Sequence, residues 1–173
     1  MYMKKLFTIV SLLYCVAFAA AQDADDKYAG QLLKPSTEAP DFTFVDNGKP
    51  TSLTSLRGSY VVIDFWATWC PDCRKDIPAM KALFEQYAPK GVRFVGVSFD
   101  KERVALDKYL EENRIAWPQY YEGKPWKETV ISQQYHIQWI PSIYLIDKDG
   151  KVLLSTVMIE KIDQKIKELC NIR

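Results

Sequence analysis

Residues 61–73 read VVIDFWATWCPDC and indicate the type of fold. This stretch opens with a continuous apolar run and ends in two cysteines, Cys70 and Cys73, that are separated by two residues. An apolar run without alternation is typical of a strand that is covered on both faces of its sheet. Apolar residues then recur at helical spacing between Ile77 and Tyr87, which predicts a helix directly after the cysteines.

Two cysteines one helical turn apart are close enough to form a disulfide and to open it again. One turn rises about 5.4 Å, and the Cα atoms of a disulfide usually lie about 4.4–6.8 Å apart. Redox chemistry is therefore the leading interpretation, with a structural disulfide and half of a zinc site as alternatives. Zinc needs four ligands, and the remaining candidates, His136 and Cys170, lack a matching spacing, so no metal site is predicted.

Composition and charge indicate one soluble globular domain. The chain has 173 residues, of which 48% are hydrophobic and 26% are charged, enough for a single domain with a substantial core. Its formal net charge is +1. Removal of a leader that carries Lys4 and Lys5 would change this charge to −1. A near-neutral chain without a basic stripe is not expected to bind nucleic acid.

The first 21 residues have the pattern of a secretory signal. Lys4 and Lys5 precede a mostly apolar run at 6–21 that ends in three alanines. A membrane-spanning helix needs about 20 apolar residues, and this run is shorter. We expect cleavage after residue 21 and a periplasmic or cell-envelope location. An uncleaved N-terminal anchor and lipidation of Cys15 are the alternatives.

The remaining chain divides into a polar, flexible leader at 22–34 and one domain at 35–173. Alternating residues predict a strand at 41–45, and D-N-G-K at 46–49 predicts a turn. Strands then alternate with helices, and a hairpin precedes a closing helix. This order predicts an α/β fold with a mixed sheet. The predicted later elements are strands at 60–65, 92–99, 117–121, 142–146 and 151–157, and helices at 100–113, 129–135 and 159–173.

The motif W-C-P-D-C at 69–73 resembles the active site of the thioredoxin fold. A-P-D-F at 39–42, D-N-G at 46–48 and L-R-G at 56–58 are similar to the exported TlpA/ResA branch of these proteins, which is related to AhpC/TSA proteins. The resemblance extends over about residues 35–170. It implies a three-layer α/β/α sandwich with a central mixed sheet and an N-terminal β extension.

The resemblance also implies a thiol–disulfide oxidoreductase that reduces protein disulfides without a cofactor. The redox-active disulfide would be Cys70–Cys73. The first cysteine would lie at the N-terminus of a helix, where the helix dipole and free N–H groups favour a thiolate. Cys70 is therefore the predicted nucleophile. Cys73, one turn later, would resolve the mixed disulfide.

Two acids complete the predicted catalytic set. Asp64 lies in the apolar strand, and burial would raise its pKa enough for it to accept a proton from Cys73. The resemblance places the buried acid of thioredoxin at this position. A solvated or hydrogen-bonded acid without a catalytic role is the alternative. The resemblance also aligns Asp76 with a glutamate in the active site of the ResA-like branch. Asp76 is one carbon shorter, and the alternative is an acid that only complements the helix dipole.

The predicted substrate-binding residues are Trp69, Pro71, Ile140 and Pro141. Trp69 would form an apolar rim. Ile140 and Pro141 precede a strand, as does the cis-proline loop of the family, whose backbone pairs with the substrate chain. Asp72 lies between the cysteines, and its charge disfavours a thiolate. A less stable thiolate makes the disulfide less oxidising, so we predict a reducing protein.

The expected partners are proteins with disulfides, apocytochrome c among them, and a membrane-embedded thiol reductant of the DsbD/CcdA type. Two other functions remain open. A peroxiredoxin-like thiol peroxidase shares the A-P-D-F start, but its P-x-x-x-T-x-x-C motif fits neither Cys70 nor Cys73. A non-catalytic binding module with a structural disulfide is the second alternative.

Overall fold

The structure is a computed structural model that describes residue 25 and residues 27–170. An antiparallel hairpin of β1 (Thr43–Asp46) and β2 (Lys49–Ser52) opens the domain. The two turn residues between the strands have positive φ angles of 49° and 76°, as tight hairpin turns require. The sequence predicted β1 and the turn but missed β2, because K-P-T-S has no apolar alternation.

A five-stranded mixed sheet forms the centre of the domain. The spatial order is β5-β4-β3-β6-β7. The first three of these strands are parallel, and β6 and β7 run antiparallel to their neighbours. The five strands are β3 (Val61–Trp66), β4 (Arg93–Ser98), β5 (Gln119–Tyr121), β6 (Ser142–Ile146) and β7 (Val152–Thr156).

Helices cover both faces of this sheet and give the three predicted layers. The helices are α1 (Pro71–Tyr87), α2 (Arg103–Asn113), α3 (Val130–Gln134) and α4 (Ile159–Cys170). Lys81 of α1 donates a hydrogen bond to the Asn113 carbonyl oxygen at 2.8 Å, which joins α1 to α2. Tyr87 of α1 donates to the Asp163 carboxylate in α4 at 3.0 Å. These three helices therefore share one face.

Strand β3 is buried over its whole length, as the apolar run predicted. Successive side chains of a strand point to opposite faces. Phe65 packs against Tyr135 and Tyr144, with ring centroids 5.0 and 5.7 Å away. Its neighbours Asp64 and Trp66 point to the other face, where Trp66 meets Tyr109 of α2 at 5.7 Å. Asp64 therefore lies on the face that α1 covers.

Part of the segment predicted as a flexible leader, at 22–34, packs against the domain. Residues 27–29 are helical, and Leu32 and Leu33 are buried. The Leu33 N–H donates a hydrogen bond to the Tyr144 hydroxyl at 3.0 Å. The polar composition of the segment did not indicate this packing, because most of the packing involves only two leucines.

Asp25 fastens the same segment to the far end of the domain. Its buried carboxylate accepts hydrogen bonds from the Thr156 hydroxyl at 2.6 Å and the Val157 N–H at 2.8 Å. The Lys161 ammonium of α4 forms an ion pair with the same carboxylate. These bonds offset the cost of burying the charge, and they hold the pKa of Asp25 below its usual value despite the burial.

The predicted secretory signal at 1–21, with Cys15, lies outside the described residues. Within the described part of the chain, no helix is both long and apolar enough to span a bilayer.

Candidate active site

The cysteine pair lies at the start of α1, as predicted. Cys70 is the N-cap residue, with an extended backbone, and Pro71 occupies the first helical turn, where its missing N–H costs no helical hydrogen bond. Cys70 and Cys73 form a disulfide with their Cα atoms 5.3 Å apart. The Cys73 N–H donates a hydrogen bond to Cys70 Sγ at 3.2 Å. A helix N–H is thus already directed at the sulfur that would carry the thiolate charge.

The loop before β6 contacts the same sulfur. The Ile140 carbonyl oxygen lies 3.8 Å from Cys70 Sγ, and the bond between Ile140 and Pro141 is cis. Both cysteines are largely buried, whereas Trp69 is 54% exposed. The structure therefore brings the four predicted substrate-binding residues to one edge of the sheet, around the disulfide.

Asp64 is buried on the α1 side of β3, with 6% of its surface exposed. Burial raises its pKa to about 7, and the charge of Asp76 adds to the increase. A carboxyl group with this pKa exchanges protons near neutral pH. The increase has the direction that burial in an apolar strand predicts.

Asp76 is half-buried in the second turn of α1. Burial raises its pKa to about 6; the charges of Glu160 and Asp72 raise it further, while Lys75 opposes them. Sequence reasoning missed Glu160, which belongs to α4 and lies 84 positions after Asp76. Only the packing of α4 against α1 brings the two acids close enough to interact.

Asp72 is exposed and is paired with a basic residue of the same helix. Its carboxylate forms an ion pair with Lys75 at 2.8 Å, and both side chains are largely in solvent. The sequence prediction of a reducing protein considered only the negative charge of Asp72. Lys75 offsets part of that charge, so the effect on a nearby thiolate is smaller than the sequence indicated.

Asp100 holds the loop that leads to the cysteines, and the sequence prediction missed it. This buried residue accepts a hydrogen bond from the Thr68 N–H at 3.1 Å, and it also binds the Thr68 hydroxyl. The Ser98 hydroxyl donates to the same carboxylate at 2.8 Å. The available signal was the position of Asp100 just after a buried strand, because parallel strands β3 and β4 end at the same edge.

The other two candidates lie apart from this arrangement. His136 is exposed, and Cys170 is a half-buried free cysteine at the end of α4. Among the residues that the structure describes, no group of three or more His, Cys, Asp or Glu side chains is placed to hold a metal ion.

Comparison with known sequences identifies relatives of the chain. Residues 35–155 match the AhpC/TSA family. A thiol-disulfide oxidoreductase ResA from Bacillus cereus (strain ATCC 10987 / NRS 248) is 32% identical over 152 residues, which are 86% of this chain and 84% of that relative. A ResA from Bacillus cereus (strain ZK / E33L) is 35% identical over 117 residues, which are 67% of this chain and 65% of its own length. The match to the second relative thus spans slightly less than two thirds of it.

Solved structures share the fold. The thioredoxin domain of a thiol-disulfide oxidoreductase from Bacteroides vulgatus has a TM-score of 0.71 and 28% identity, and the match covers 80% of this chain and 99% of that one. A structure from Chlorobium tepidum, named as the thiol:disulfide interchange protein DsbE, has a TM-score of 0.70 and 29% identity over 79% of this chain and 97% of its own. These matches confirm the predicted thioredoxin-like α/β fold. The chain therefore belongs to the AhpC/TSA family, on the branch whose relatives are named thiol-disulfide oxidoreductases.

Proposed function

We propose that the protein is a thiol–disulfide oxidoreductase that reduces disulfides of other proteins through Cys70 and Cys73. The observation that carries this proposal is the disulfide at the N-terminus of α1, with the Cys73 N–H on Cys70 Sγ at 3.2 Å. A thiolate at Cys70 would keep this hydrogen bond and gain from the helix dipole.

Reduction proceeds in two exchanges from the dithiol form. The Cys70 thiolate attacks one sulfur of the substrate disulfide, a mixed disulfide forms, and the first substrate thiolate leaves. Cys73 then attacks Cys70 Sγ, the mixed disulfide breaks, and the second substrate thiolate leaves. Two electrons have passed to the substrate, and the cysteine pair ends as a disulfide. A second thiol donor must reduce it again.

Asp64 is the proposed acceptor for the Cys73 proton in the second exchange. Its pKa of about 7 leaves a large fraction of the carboxylate ready to take a proton at neutral pH. Asp76, with a pKa of about 6, is the proposed second acid. Its charge raises the pKa of Asp64, so ionisation of the two groups is linked.

The substrate chain would bind along the edge formed by Trp69, Pro71, Ile140 and Pro141. Trp69 offers an exposed apolar surface. The Ile140 carbonyl oxygen, next to the cis-proline, lies beside Cys70 Sγ. This position of the backbone favours binding of an extended substrate segment at the loop.

Location and partners follow from the N-terminal pattern and the chemistry. We propose a periplasmic or cell-envelope protein that is exported by the signal at 1–21, with a membrane anchor or lipidation as alternatives. Its substrates would be proteins with disulfides, apocytochrome c among them. The thiol donor would be a membrane-embedded reductant of the DsbD/CcdA type.

Insulin reduction tests the proposal. The wild-type protein with dithiothreitol as donor should accelerate insulin reduction, and Cys70→Ser and Cys73→Ser should both lose this activity. Cys73→Ser should instead accumulate a mixed disulfide at Cys70, because the resolving thiol is absent. Cys170→Ser is the matched control and should keep wild-type activity.

Two outcomes would contradict the proposal. Unchanged insulin reduction in Cys73→Ser would show that the pair does not act as a dithiol. Peroxide consumption that survives Cys73→Ser while insulin reduction is absent in the wild type would favour a thiol peroxidase instead.

A further inference from the structure

Two exposed tryptophans flank the disulfide. Five large apolar side chains are exposed in the described part of the chain: Val45, Trp69, Val104, Val130 and Trp139. Trp69 immediately precedes Cys70, and Trp139 lies two residues before Pro141. The exposed tryptophans therefore belong to the two segments that meet at the Cys70 sulfur, and the function described so far uses only the first.

Trp139 is held in place by a distant part of the chain. The Tyr28 ring stacks on the Trp139 indole with centroids 4.5 Å apart and planes at 18°. Tyr28 lies three residues after Asp25, whose buried carboxylate fastens this segment to β7 and α4. The stack restricts the motion of Trp139 before any ligand arrives.

The stack does not serve only to bury apolar surface. Trp139 remains 44% exposed although Tyr28 covers one of its faces. The next residue, Ile140, places its carbonyl oxygen 3.8 Å from Cys70 Sγ. A rigid, partly exposed indole on the residue next to that carbonyl has the properties of a binding residue, because tryptophan is enriched among the residues that dominate interface energies. Holding it rigid also lowers the entropy cost of binding.

We propose that Trp139, supported by Tyr28, selects substrates that carry an aromatic or large apolar side chain next to the reacting cysteine. This inference rests on the proposed disulfide exchange at Cys70. Trp139 contacts the substrate side chain, and Tyr28 positions Trp139. Trp69 provides the apolar surface on the other segment.

Two matched peptide disulfides test the selection. They differ only in the residue beside the cysteine, which is phenylalanine in one and serine in the other, and dithiothreitol supplies the electrons. Glutathione disulfide is the third substrate, because it lacks a large apolar side chain. The value of kcat/KM is measured for the full-length wild type and for Trp139→Ala, Trp139→Phe, Tyr28→Ala and Tyr60→Ala.

Tyr60→Ala is the matched control for Tyr28→Ala. Both tyrosines are half-buried, and each has a lysine over its ring, with Nζ 4.9 Å from the Tyr28 centroid and 5.2 Å from that of Tyr60. Tyr60 precedes β3, at the opposite end of that strand from the cysteines. The Tyr60→Ala substitution should therefore leave substrate selection unchanged.

The wild type should prefer the phenylalanine peptide by about tenfold, the size expected for one buried aromatic contact. Trp139→Ala should remove this preference and leave the serine peptide and glutathione disulfide within about twofold of wild type. Trp139→Phe should retain most of the preference. Tyr28→Ala should lower it by about threefold, because the indole remains but is less restricted.

The inference is overturned if Trp139→Ala slows all three substrates equally, since a structural role would do that, or if it changes none of them. It is also overturned if Tyr28→Ala behaves like Tyr60→Ala. Failure of the proposed function looks different, because the wild type would then reduce none of the three substrates. A wild type that reduces both peptides equally well contradicts the selection alone.

Discussion

Asp64 carries an electrostatic cost that depends on pH. Its folded-state pKa of about 7 lies above the ordinary value of 3.8, mainly because of burial. The protonated form is therefore favoured in the folded state. The protonated carboxyl group of Asp64 thus adds to the free energy of unfolding. This stabilisation is fully present below pH 3.8 and is lost as the pH rises through about 7.

Replacement of Asp64 by Asn should stabilise the protein above neutral pH. At pH 8 we expect Asp64→Asn to raise the free energy of unfolding by about 2–4 kcal/mol, because the variant has no buried charge. At pH 4 the two proteins should differ little. Urea unfolding at both pH values measures this, with the exposed Asp107→Asn as control. A variant that is no more stable than wild type at pH 8 would show that the charge of Asp64 does not destabilise the folded protein.

The same substitution should slow the second exchange. At pH 7, release of substrate from the mixed disulfide should fall by about 10²-fold, as for loss of a general base. The difference should narrow as the pH rises, because a thiol that ionises in solution no longer needs a base to take its proton. Rapid-quench measurement of the mixed disulfide gives the rate. An equal loss at every pH would indicate that Asp64 acts only on the structure.

Asp72 should adjust the reduction potential slightly. Asp72→Asn removes a negative charge near the Cys70 thiolate, so the reduced form gains stability and the disulfide becomes more oxidising. Because Asp72 is exposed and paired with Lys75, we expect an increase of only about 10–20 mV. Equilibration with glutathione measures the potential. Asp107→Asn is the matched control, since Asp107 also pairs with a basic residue of its own helix at 2.8 Å. A lower potential in Asp72→Asn would reverse the proposed sign.

At the scale of elements, the loop between β3 and α1 depends on a carboxylate from the end of β4. Asp100 satisfies the Thr68 N–H and hydroxyl and the Ser98 hydroxyl. It joins the ends of two neighbouring parallel strands. It thereby holds the segment that places Cys70 at the helix N-terminus.

Loss of Asp100 should loosen this loop. We expect Asp100→Ala to lower the free energy of unfolding by about 1–3 kcal/mol, because buried donors lose their acceptor. Exchange of the Thr68 amide hydrogen should become faster. Urea unfolding and hydrogen exchange measure the two effects, with Asp107→Ala as the exposed control. Slow exchange at Thr68 in the variant would mean that other contacts hold the loop.

At the scale of the whole molecule, residues before the predicted domain belong to its core. Leu32 is 2% exposed and Leu33 donates its N–H to Tyr144 of β6. The same segment carries Tyr28 to Trp139. The N-terminal part of the chain therefore contributes both to stability and to the surroundings of the disulfide.

Truncation of Leu32 should reveal this contribution. We expect Leu32→Ala to lower the free energy of unfolding by about 2–5 kcal/mol, as for other buried leucines. Val45→Ala, at a side chain that is 60% exposed, should change it by less than about 0.5 kcal/mol. Both values come from urea unfolding. Equal, small effects would indicate that the segment at 22–34 is a flexible leader.

Local features of the chain determined the central part of this fold by themselves. The apolar run of β3, the two cysteines and the helical spacing after them occupy neighbouring positions. Each follows from a period or a residue type that can be read over a few residues. The acid in the strand also indicated its own raised pKa, because its neighbours in sequence are apolar.

Several distant groups around the disulfide, beyond Ile140 and Pro141, which the family resemblance had predicted, follow only from the tertiary structure. Asp100 reaches Thr68 across 32 positions, Glu160 influences Asp76 across 84, and Tyr28 stacks on Trp139 across 111. No local period encodes such contacts. They arise when the sheet and its helices pack and bring unrelated segments to one edge. For that reason the sequence identified the cysteines and Asp64, whereas Asp100, Glu160 and the stack of Tyr28 on Trp139 appeared only in the folded molecule.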